Sequence, residues 1–430
     1  MFQFIHAADI HLDSPLRGLE RYEGAPVDEI RLATRRALEK LVDLALQKRV
    51  AFVIIAGDLF DGDWKDYNTG LFFARQMSRL REKSIPVYIV KGNHDATNKV
   101  TKSLPMPENV FVFSDAKPET FYIDDCHVAI HGQSFSTTAV TDNLSLAYPQ
   151  AERDRFNIGV LHTCADGKEG HAPYAPCKIN ELVGKGYDYW ALGHVHKREV
   201  LNEEPLIIFP GNLQGRHIIE TGAKGCTLVT VDERNRASAE AIELSVLRWE
   251  HCLIDVTGAA SEDEVIQIIS SELGKLLIVT GEIPLAVRVE ISGACAADAI
   301  VRSRLEHFIN QVRAVATDIS RERIWVEKVK IKTTPQSAGL AGGAYDSPAD
   351  AVDATSLNLA EGPVGELMQM IAEYREGGAR LAELRDELAD LERKLPEEVK
   401  KSLGFQDDDF LKDILNDVQD MLLDQLAQAK

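Results

Sequence analysis

Short, almost continuous apolar runs recur through the first 245 residues, and most of them are followed directly by an aspartate, a histidine or a glycine. Runs such as Phe52-Val53-Ile54-Ile55 alternate with segments of helical spacing, which is typical of a sheet that is covered on both faces. We expect eight strands here, at 2–8, 51–56, 86–90, 126–130, 156–161, 187–192, 206–209 and 226–231. The alternation predicts one large layered α/β domain.

The sequence pattern changes after residue 247, so we expect three further segments. Residues 248–332 show the order strand (253–256), helix (261–276), strand (285–291), helix (296–315) and strand (324–331), which suits a small second α/β domain. Residues 333–363 are rich in Gly, Ala, Ser, Pro and Asp and predict a flexible linker. Leucines spaced by three and four predict a helix–loop–helix in 364–430 that binds a partner, or else packs on the body of the protein.

Composition narrows the class of protein. Lys and Arg total 48 against 68 Asp and Glu, so the net charge is −20, which argues against general electrostatic wrapping of nucleic acid. The chain has no apolar run of the roughly 18 residues that a membrane helix needs, and its start lacks a signal-peptide pattern. The six cysteines include no CxxC pair. We therefore expect a soluble cytoplasmic protein with reduced thiols and no membrane contact.

Potential metal ligands follow five of the expected strands. They occur as Asp9-Ile10-His11, Gly57-Asp58-Leu59-Phe60-Asp61, Gly92-Asn93-His94-Asp95, His162 and Gly193-His194-Val195-His196. Carboxylate, imidazole and amide-oxygen ligands suit manganese, iron or zinc better than a structural zinc site, which favours thiolates. Two cations about 3.5–4 Å apart that share a carboxylate can activate water and hold a phosphate. The set therefore predicts phosphoester hydrolysis.

These motifs, in this order, resemble the calcineurin-like metallophosphoesterase superfamily. Within it the chain is similar to the SbcD-type DNA repair exonucleases, and most closely to the YhaO-like group, on the segments His11–Leu16 and Phe209–Arg216. The likeness covers about residues 1–245. It implies a layered core of mixed β-sheets flanked by helices as the nuclease domain (1–247), a capping domain (248–332), the linker (333–363) and a helical partner-binding segment (364–430).

The resemblance also implies a role for each site residue. One metal would take Asp9, His11, Asp58 and His196, and the other would take Asp58, Asn93, His162 and His194, with Asp58 as the bridge. The cofactor is then two divalent ions, in the first place Mn²⁺, with Fe²⁺, Zn²⁺ and Mg²⁺ as alternatives. His94 would face the scissile phosphate, and Asp95 would orient its imidazole. Asp61 stands where archaeal and eukaryotic relatives tend to carry a histidine, so the resemblance assigns it no role.

Basic residues near these motifs are the expected contacts to a nucleic-acid backbone: Arg17, Lys197, Arg198, Arg216 and His217. The resemblance implies a DNA exonuclease, with single-strand endonuclease activity as a further expectation. It also implies a homodimer and an SbcC/YhaN-like coiled-coil ATPase that binds the C-terminal helices. A phosphodiesterase or phosphomonoesterase with a small substrate is the alternative. A scaffold with a vestigial site is disfavoured, because every ligand position is filled.

Overall fold

The structure is a computed structural model that describes residues 1–14, 32–61, 67–96, 106–166 and 174–336. Arg17 and the predicted helical segment 364–430 lie outside these residues, as does most of the predicted linker 333–363. Within the described part of the chain, no helix has the length and apolar character needed to cross a membrane.

Two six-stranded mixed sheets form the first part of the protein. The first has the order β12-β11-β1-β2-β3-β4, from the strands β1 (Phe2–Ala7), β2 (Phe52–Ala56), β3 (Val87–Val90), β4 (Val110–Val112), β11 (Gly225–Val231) and β12 (Ala237–Glu243). The second has the order β5-β6-β7-β8-β10-β9, from the strands β5 (Glu119–Ile123), β6 (Val128–Gly132), β7 (Phe156–His162), β8 (Tyr189–Gly193), β9 (Glu199–Glu203) and β10 (Leu206–Phe209). The prediction of mixed sheets flanked by helices is confirmed.

The two sheets pack face to face around one apolar core. Phe4, Phe52 and Ile54 of the first sheet belong to the same buried cluster as Ile158 and Tyr189 of the second. On the outer face of the first sheet, α1 (Ala33–Lys48) and α2 (Tyr67–Arg81) cover a second cluster. The short helix α3 (Ile179–Val183) lies against the outer face of the second sheet. Burial on both faces explains why the central strands are continuous apolar runs.

A third, parallel sheet has the order β13-β14-β15, from β13 (Arg248–Asp255), β14 (Leu285–Cys295) and β15 (Ile324–Pro335). Helices α4 (Glu262–Thr280), α5 (Asp298–Ser303) and α6 (Leu305–Ser320) cover one face of it. The helix predicted over 296–315 is therefore two helices, which are separated at Arg304, a residue whose φ of −129° and ψ of 42° are not helical.

The start of the predicted linker needs a correction. Residues 333–335 continue β15 and pair with residues 293–295 of β14. Thr333 is buried, its hydroxyl donates to Asp298 Oδ1 at 2.5 Å, and its carbonyl accepts from Arg302 Nη2 at 2.7 Å. The composition of this stretch is that of a linker, but its first residues are held by partners about 30 to 40 positions away in the chain.

Candidate metal centre

The predicted ligands lie at the carboxyl ends of strands from both sheets. Asp9 and His11 follow β1, Asp58 follows β2, and Asn93 follows β3. His162 is the last residue of β7, and His194 and His196 follow β8. Two backbone hydrogen bonds of 3.0 Å join the first two loops, from Asp9 N to Gly57 O and from His11 N to Asp58 O. Side chains separated by up to 187 positions thus meet at one edge of the molecule.

Four of these residues adopt a backbone conformation that side chains other than glycine rarely take. The φ angles are 50° for Asp9, 43° for His11, 50° for Asp58 and 104° for His194. Each such residue costs about 1–3 kcal/mol and persists only where the surrounding structure enforces it. The Asp9 carboxylate provides part of that enforcement, because it accepts the His194 backbone N–H at 3.0 and 3.1 Å. Strain of this kind is concentrated at functional sites.

Two glycines leave the space that the ligands occupy. A Cβ atom on Gly57, whose φ is 95°, would collide with His162 Nδ1, and a Cβ atom on Gly92 would collide with Asp58 Oδ1. Any larger residue at these positions would displace a predicted ligand. The Gly-Asp and Gly-Asn pairs of the motifs therefore have a steric reason.

Asp9, His11 and His196 form the first group of converging ligand atoms. The Nε2 atoms of His11 and His196 lie 3.3 Å apart, and His196 Nε2 is 3.9 Å from Asp9 Oδ1. The Nδ1 atom of His196 is 2.6 Å from the Glu220 carboxylate, so this nitrogen carries the proton and Nε2 presents a lone pair. Lone pairs and a carboxylate that face each other at these distances fit a shared cation.

Asp58, His162 and Asn93 form the second group. Asp58 Oδ2 lies 3.4 Å from His162 Nε2 and 3.8 Å from His11 Nε2, between the two groups. Asn93 Oδ1 is 3.0 Å from His162 Nε2. His162 Nδ1–H donates a hydrogen bond to the Ala56 carbonyl at 3.0 Å, so that Nε2 is the nitrogen that can bind a metal. The imidazole of His194 stands beside that of His162, with ring centroids 5.2 Å apart.

The electrostatics of these buried groups fit a cation as well. Burial lowers the pKa of His11 to about 4, so this imidazole is neutral and ready to act as a ligand. Burial also opposes the charged form of His162, but the Asp58 carboxylate outweighs it and raises the pKa of His162 to about 9. The negative charge of Asp58 that favours a proton on His162 equally favours a divalent cation, which would replace that proton. The residues present fit a pair of divalent cations.

His94 lies beside the ligands, and 40% of its side chain is exposed. Its Nδ1 atom is 2.9 Å from Asp61 Oδ1, and its ring centroid is 4.9 Å from that of His11. The hydrogen bond to Asp61 raises the pKa of His94 above its usual value. Asp61 also accepts a 2.8 Å hydrogen bond from Ser14 Oγ, which fixes the carboxylate in place.

The structure corrects the predicted role of Asp95. Its two carboxylate oxygens accept hydrogen bonds from the backbone N–H groups of Leu59, Phe60 and Gly92, at 2.9–3.1 Å. The carboxylate that contacts the His94 imidazole is that of Asp61. Asp95 is adjacent to His94 in sequence, but it is buried and turned toward the loop that carries Asp58. It therefore holds two ligand loops together.

Four of the five basic residues predicted to contact nucleic acid are described. Lys197 is exposed, and Arg198 and His217 are partly exposed. Arg216 is only 14% exposed, and its guanidinium donates to Glu220 Oε1 at 3.2 Å and lies 3.9 Å from Asp61 Oδ2. The structure thus gives Arg216 two carboxylate partners within the protein.

Glu220 and Lys224 contact a ligand residue, although sequence reasoning did not single them out. Glu220 binds His196 Nδ1, and Lys224 Nζ donates to the backbone carbonyl of His196 at 2.8 Å. Both lie in the segment after β10 that contains the Phe209–Arg216 motif. Their distance of 24 and 28 positions from His196 left no local signal for the pairing.

Comparison with known proteins decides the family. Residues 2–198 match the family described as "Calcineurin-like phosphoesterase". Residues 249–334 match the family described as "Metallophosphoesterase YhaO, middle domain". The uncharacterized metallophosphoesterase YhaO of Bacillus subtilis is 40% identical over 277 residues, which are 64% of this chain and 68% of YhaO. The chain belongs to the calcineurin-like phosphoesterase family. The predicted resemblance to this superfamily and to the YhaO-like group is confirmed.

The metallophosphoesterase is also similar to archaeal proteins named DNA double-strand break repair protein Mre11. The one from Sulfurisphaera tokodaii is 26% identical over 244 residues, which are 53% of this chain and 59% of that protein. The one from Saccharolobus solfataricus is 27% identical over 213 residues, which are 47% and 52% of the two chains. The matches thus span between half and three fifths of these two Mre11 proteins.

Proposed function

We propose that this metallophosphoesterase is a metal-dependent DNA exonuclease, which also cleaves single strands internally and works with an SbcC/YhaN-like ATPase. The observation that carries the proposal is the convergence of Asp9, His11, Asp58, His162 and His196 beside the exposed imidazole of His94. The likeness to proteins named for double-strand break repair supports DNA as the substrate. The additional domain that follows the phosphoesterase domain supports a large substrate too.

In the proposed reaction, each residue has a separate task. When bound, two divalent cations supply Lewis-acid activation of water and neutralise charge on the phosphate. Asp9, His11, Asp58, Asn93, His162, His194 and His196 would hold them. His94 donates its Nδ1–H to Asp61 and presents Nε2 to the substrate. A protonated imidazole there stabilises negative charge on the phosphate and donates its Nε2 proton to the leaving oxygen. Asp61 holds the imidazole in this orientation.

The test of this proposal compares DNA with a small phosphodiester as the substrate. Purified protein with Mn²⁺ is incubated with end-labelled duplex and single-stranded DNA, and separately with a small phosphodiester. We expect DNA to be shortened from its ends, with cleavage abolished by chelation of the metal. His94→Ser should remove DNA cleavage but retain metal binding.

A small-substrate phosphodiesterase is the second candidate, because the same centre would serve it equally well. Rapid hydrolysis of the small diester with DNA left intact, even when the ATPase is present, would favour this candidate and contradict the nuclease proposal. Repeating the assay with Mg²⁺, Zn²⁺ or Fe²⁺ in place of Mn²⁺ would identify the metal that supports the highest turnover.

A further inference from the structure

A carboxylate on the loop after β10 receives hydrogen bonds from several directions. Glu220 Oε1 is 2.6 Å from His196 Nδ1 and 3.2 Å from Arg216 Nη2. Its Oε2 atom accepts from Asn212 Nδ2 at 2.8 Å and from the Arg216 backbone N–H at 2.7 Å. The side chain is only 6% exposed. Glu220 is therefore a buried carboxylate whose two oxygens are both hydrogen-bonded.

The bond from His196 to Glu220 decides how His196 can act. An imidazole that donates Nδ1–H to a carboxylate presents only Nε2 as a lone pair, and its ring cannot rotate without breaking that bond. His196 Nε2 then lies 3.3 Å from His11 Nε2 and 3.9 Å from Asp9 Oδ1. Glu220 thus acts on the atoms of the first ligand group through the ring of His196.

Arg216 connects this carboxylate to a second one. One terminal nitrogen of its guanidinium contacts Glu220, and the other lies 3.9 Å from Asp61 Oδ2 and 3.4 Å from Ser14 Oγ. Asp61 is the carboxylate that holds His94. The Arg216 guanidinium therefore lies between Asp61 and Glu220, the carboxylates that contact the imidazoles of His94 and His196.

The loop that carries Glu220 is itself anchored to β13 and to the two residues before it. The indole of Trp249 donates to the Gly215 carbonyl at 3.0 Å, and the Gly222 N–H donates to the Trp249 carbonyl at 2.9 Å. The Gln214 side chain donates to Leu247 O at 2.6 Å and accepts from Val246 N at 2.8 Å. Anchors on both sides of Arg216 leave little freedom for the loop to shift.

We propose that Glu220 is a positioning residue of the metal centre, which holds His196 so that Nε2 stands beside Asp9 and His11. Arg216 and Asn212 hold Glu220 in turn. The inference rests on the metal centre of the proposed function and is independent of whether DNA is the substrate. The inference also gives Arg216 a role within the protein, that of holding Glu220, in place of the predicted contact with a nucleic-acid backbone.

The experiment is a calorimetric titration of metal-free, full-length protein with Mn²⁺. Wild-type protein should bind two ions. Glu220→Gln should weaken the binding of one ion about 10- to 100-fold and leave the other unchanged, because the glutamine NH₂ must face either His196 Nδ1–H or the donors at Oε2. Arg216→Met should weaken the same ion by a smaller factor, although the variant keeps Glu220 itself.

Asp298→Asn is the matched control, since Asp298 is a buried carboxylate of α5 that accepts from Arg302 and Thr333. It should bind both ions as the wild type does. Two ions bound with unchanged affinity by Glu220→Gln would overturn the inference, as would an equal loss of both ions with a lowered unfolding temperature. Should Glu220→Gln fail to fold, unchanged Mn²⁺ binding by Arg216→Met would overturn it. Failure of the wild-type protein to bind two Mn²⁺ ions would contradict the proposed function as well.

Discussion

At the scale of single residues, the site separates two aspartates that look alike in the sequence. Asp61 and Asp95 both follow a Gly-Asp or Gly-Asn motif within four residues. Asp61 is partly exposed and contacts the His94 imidazole, whereas Asp95 is buried and accepts three backbone hydrogen bonds. The first therefore supports the chemistry of His94, and the second supports the geometry of the loops.

Asp61→Asn should lower the turnover of a phosphodiester by roughly 10- to 100-fold, because the amide cannot stabilise a protonated His94 as the carboxylate does. Burial favours a neutral Asp61, but the His11 imidazole, 3.7 Å away, and the hydrogen bond from His94 hold the pKa of Asp61 below the usual range. Steady-state kinetics at saturating Mn²⁺ measure the effect, and calorimetry should still find two ions. Unchanged turnover would refute the assignment of Asp61 to His94.

At the scale of secondary structure elements, the loops after β2 and β3 depend on each other. Asp95, after β3, accepts from Leu59 and Phe60, which follow β2. Asp58 Oδ1 in turn accepts the His94 backbone N–H at 2.9 Å. The two loops are therefore joined in both directions, and loss of one carboxylate affects ligands on both strands.

Asp95→Asn should lower the free energy of unfolding by about 1–3 kcal/mol. Each carboxylate oxygen accepts at least one N–H group, so an asparagine must turn its NH₂ toward a donor whichever way it is rotated. Denaturant unfolding of metal-free protein measures the change, with Asp61→Asn as the matched comparison. A stability loss larger for Asp61→Asn than for Asp95→Asn would reverse the two roles.

A histidine is buried between the two large sheets, and its protonation on unfolding should make the free energy of unfolding depend on pH. His6 of β1 is buried between Tyr189 OH at 2.9 Å and the Leu192 carbonyl at 3.1 Å, both in or next to the second sheet. Burial lowers the pKa of His6 to about 3. The unfolded chain binds a proton near pH 6.5 and the folded chain does not, so stability falls as the pH drops below about 6.5.

This predicts a smaller pH dependence for His6→Asn. The free energy of unfolding should change less between pH 7 and pH 4.5 in this variant than in the wild type. The exposed His127→Asn is the control and should retain the wild-type slope. Identical slopes in all three proteins would show that His6 does not titrate on unfolding.

At the scale of the whole molecule, the described residues between Met1 and Gln336 belong to one compact unit. The three sheets and the metal centre all lie in this unit. The proposed contact with an SbcC/YhaN-like ATPase belongs to the predicted helices of 364–430, outside the described residues. Assembly and hydrolysis should therefore be separable by truncation.

Removal of residues 363–430 should abolish co-purification with the ATPase and leave hydrolysis of a small phosphodiester near the wild-type rate. The ligand residues between Asp9 and His196 are unaffected by this change. Co-expression followed by affinity capture measures the first outcome, and steady-state kinetics measure the second. Retention of the ATPase by the truncated protein would place the contact elsewhere.

Residue patterns along the chain were sufficient for the buried strands and the ligand loops, because both depend on near neighbours. They did not predict β4, β5, β9 and β12, whose residues are all exposed or only partly buried. An apolar run makes a buried strand, and a glycine beside an aspartate or asparagine makes the turn that follows it. The eight expected strands of the first domain all exist, and the structure brings the expected ligands Asp9, His11, Asp58, Asn93, His162, His194 and His196 to one edge.

The tertiary structure alone decided which charged groups pair around the ligands. Asp61 with His94, Glu220 with His196 and Arg216 with Asp61 are contacts between residues 24 to 155 positions apart. The family resemblance pointed instead to Asp95 for His94, although the chain turns Asp95 toward backbone donors. Hydrogen-bond partners are selected by where the folded backbone delivers a donor, and a local pattern carries no information on that.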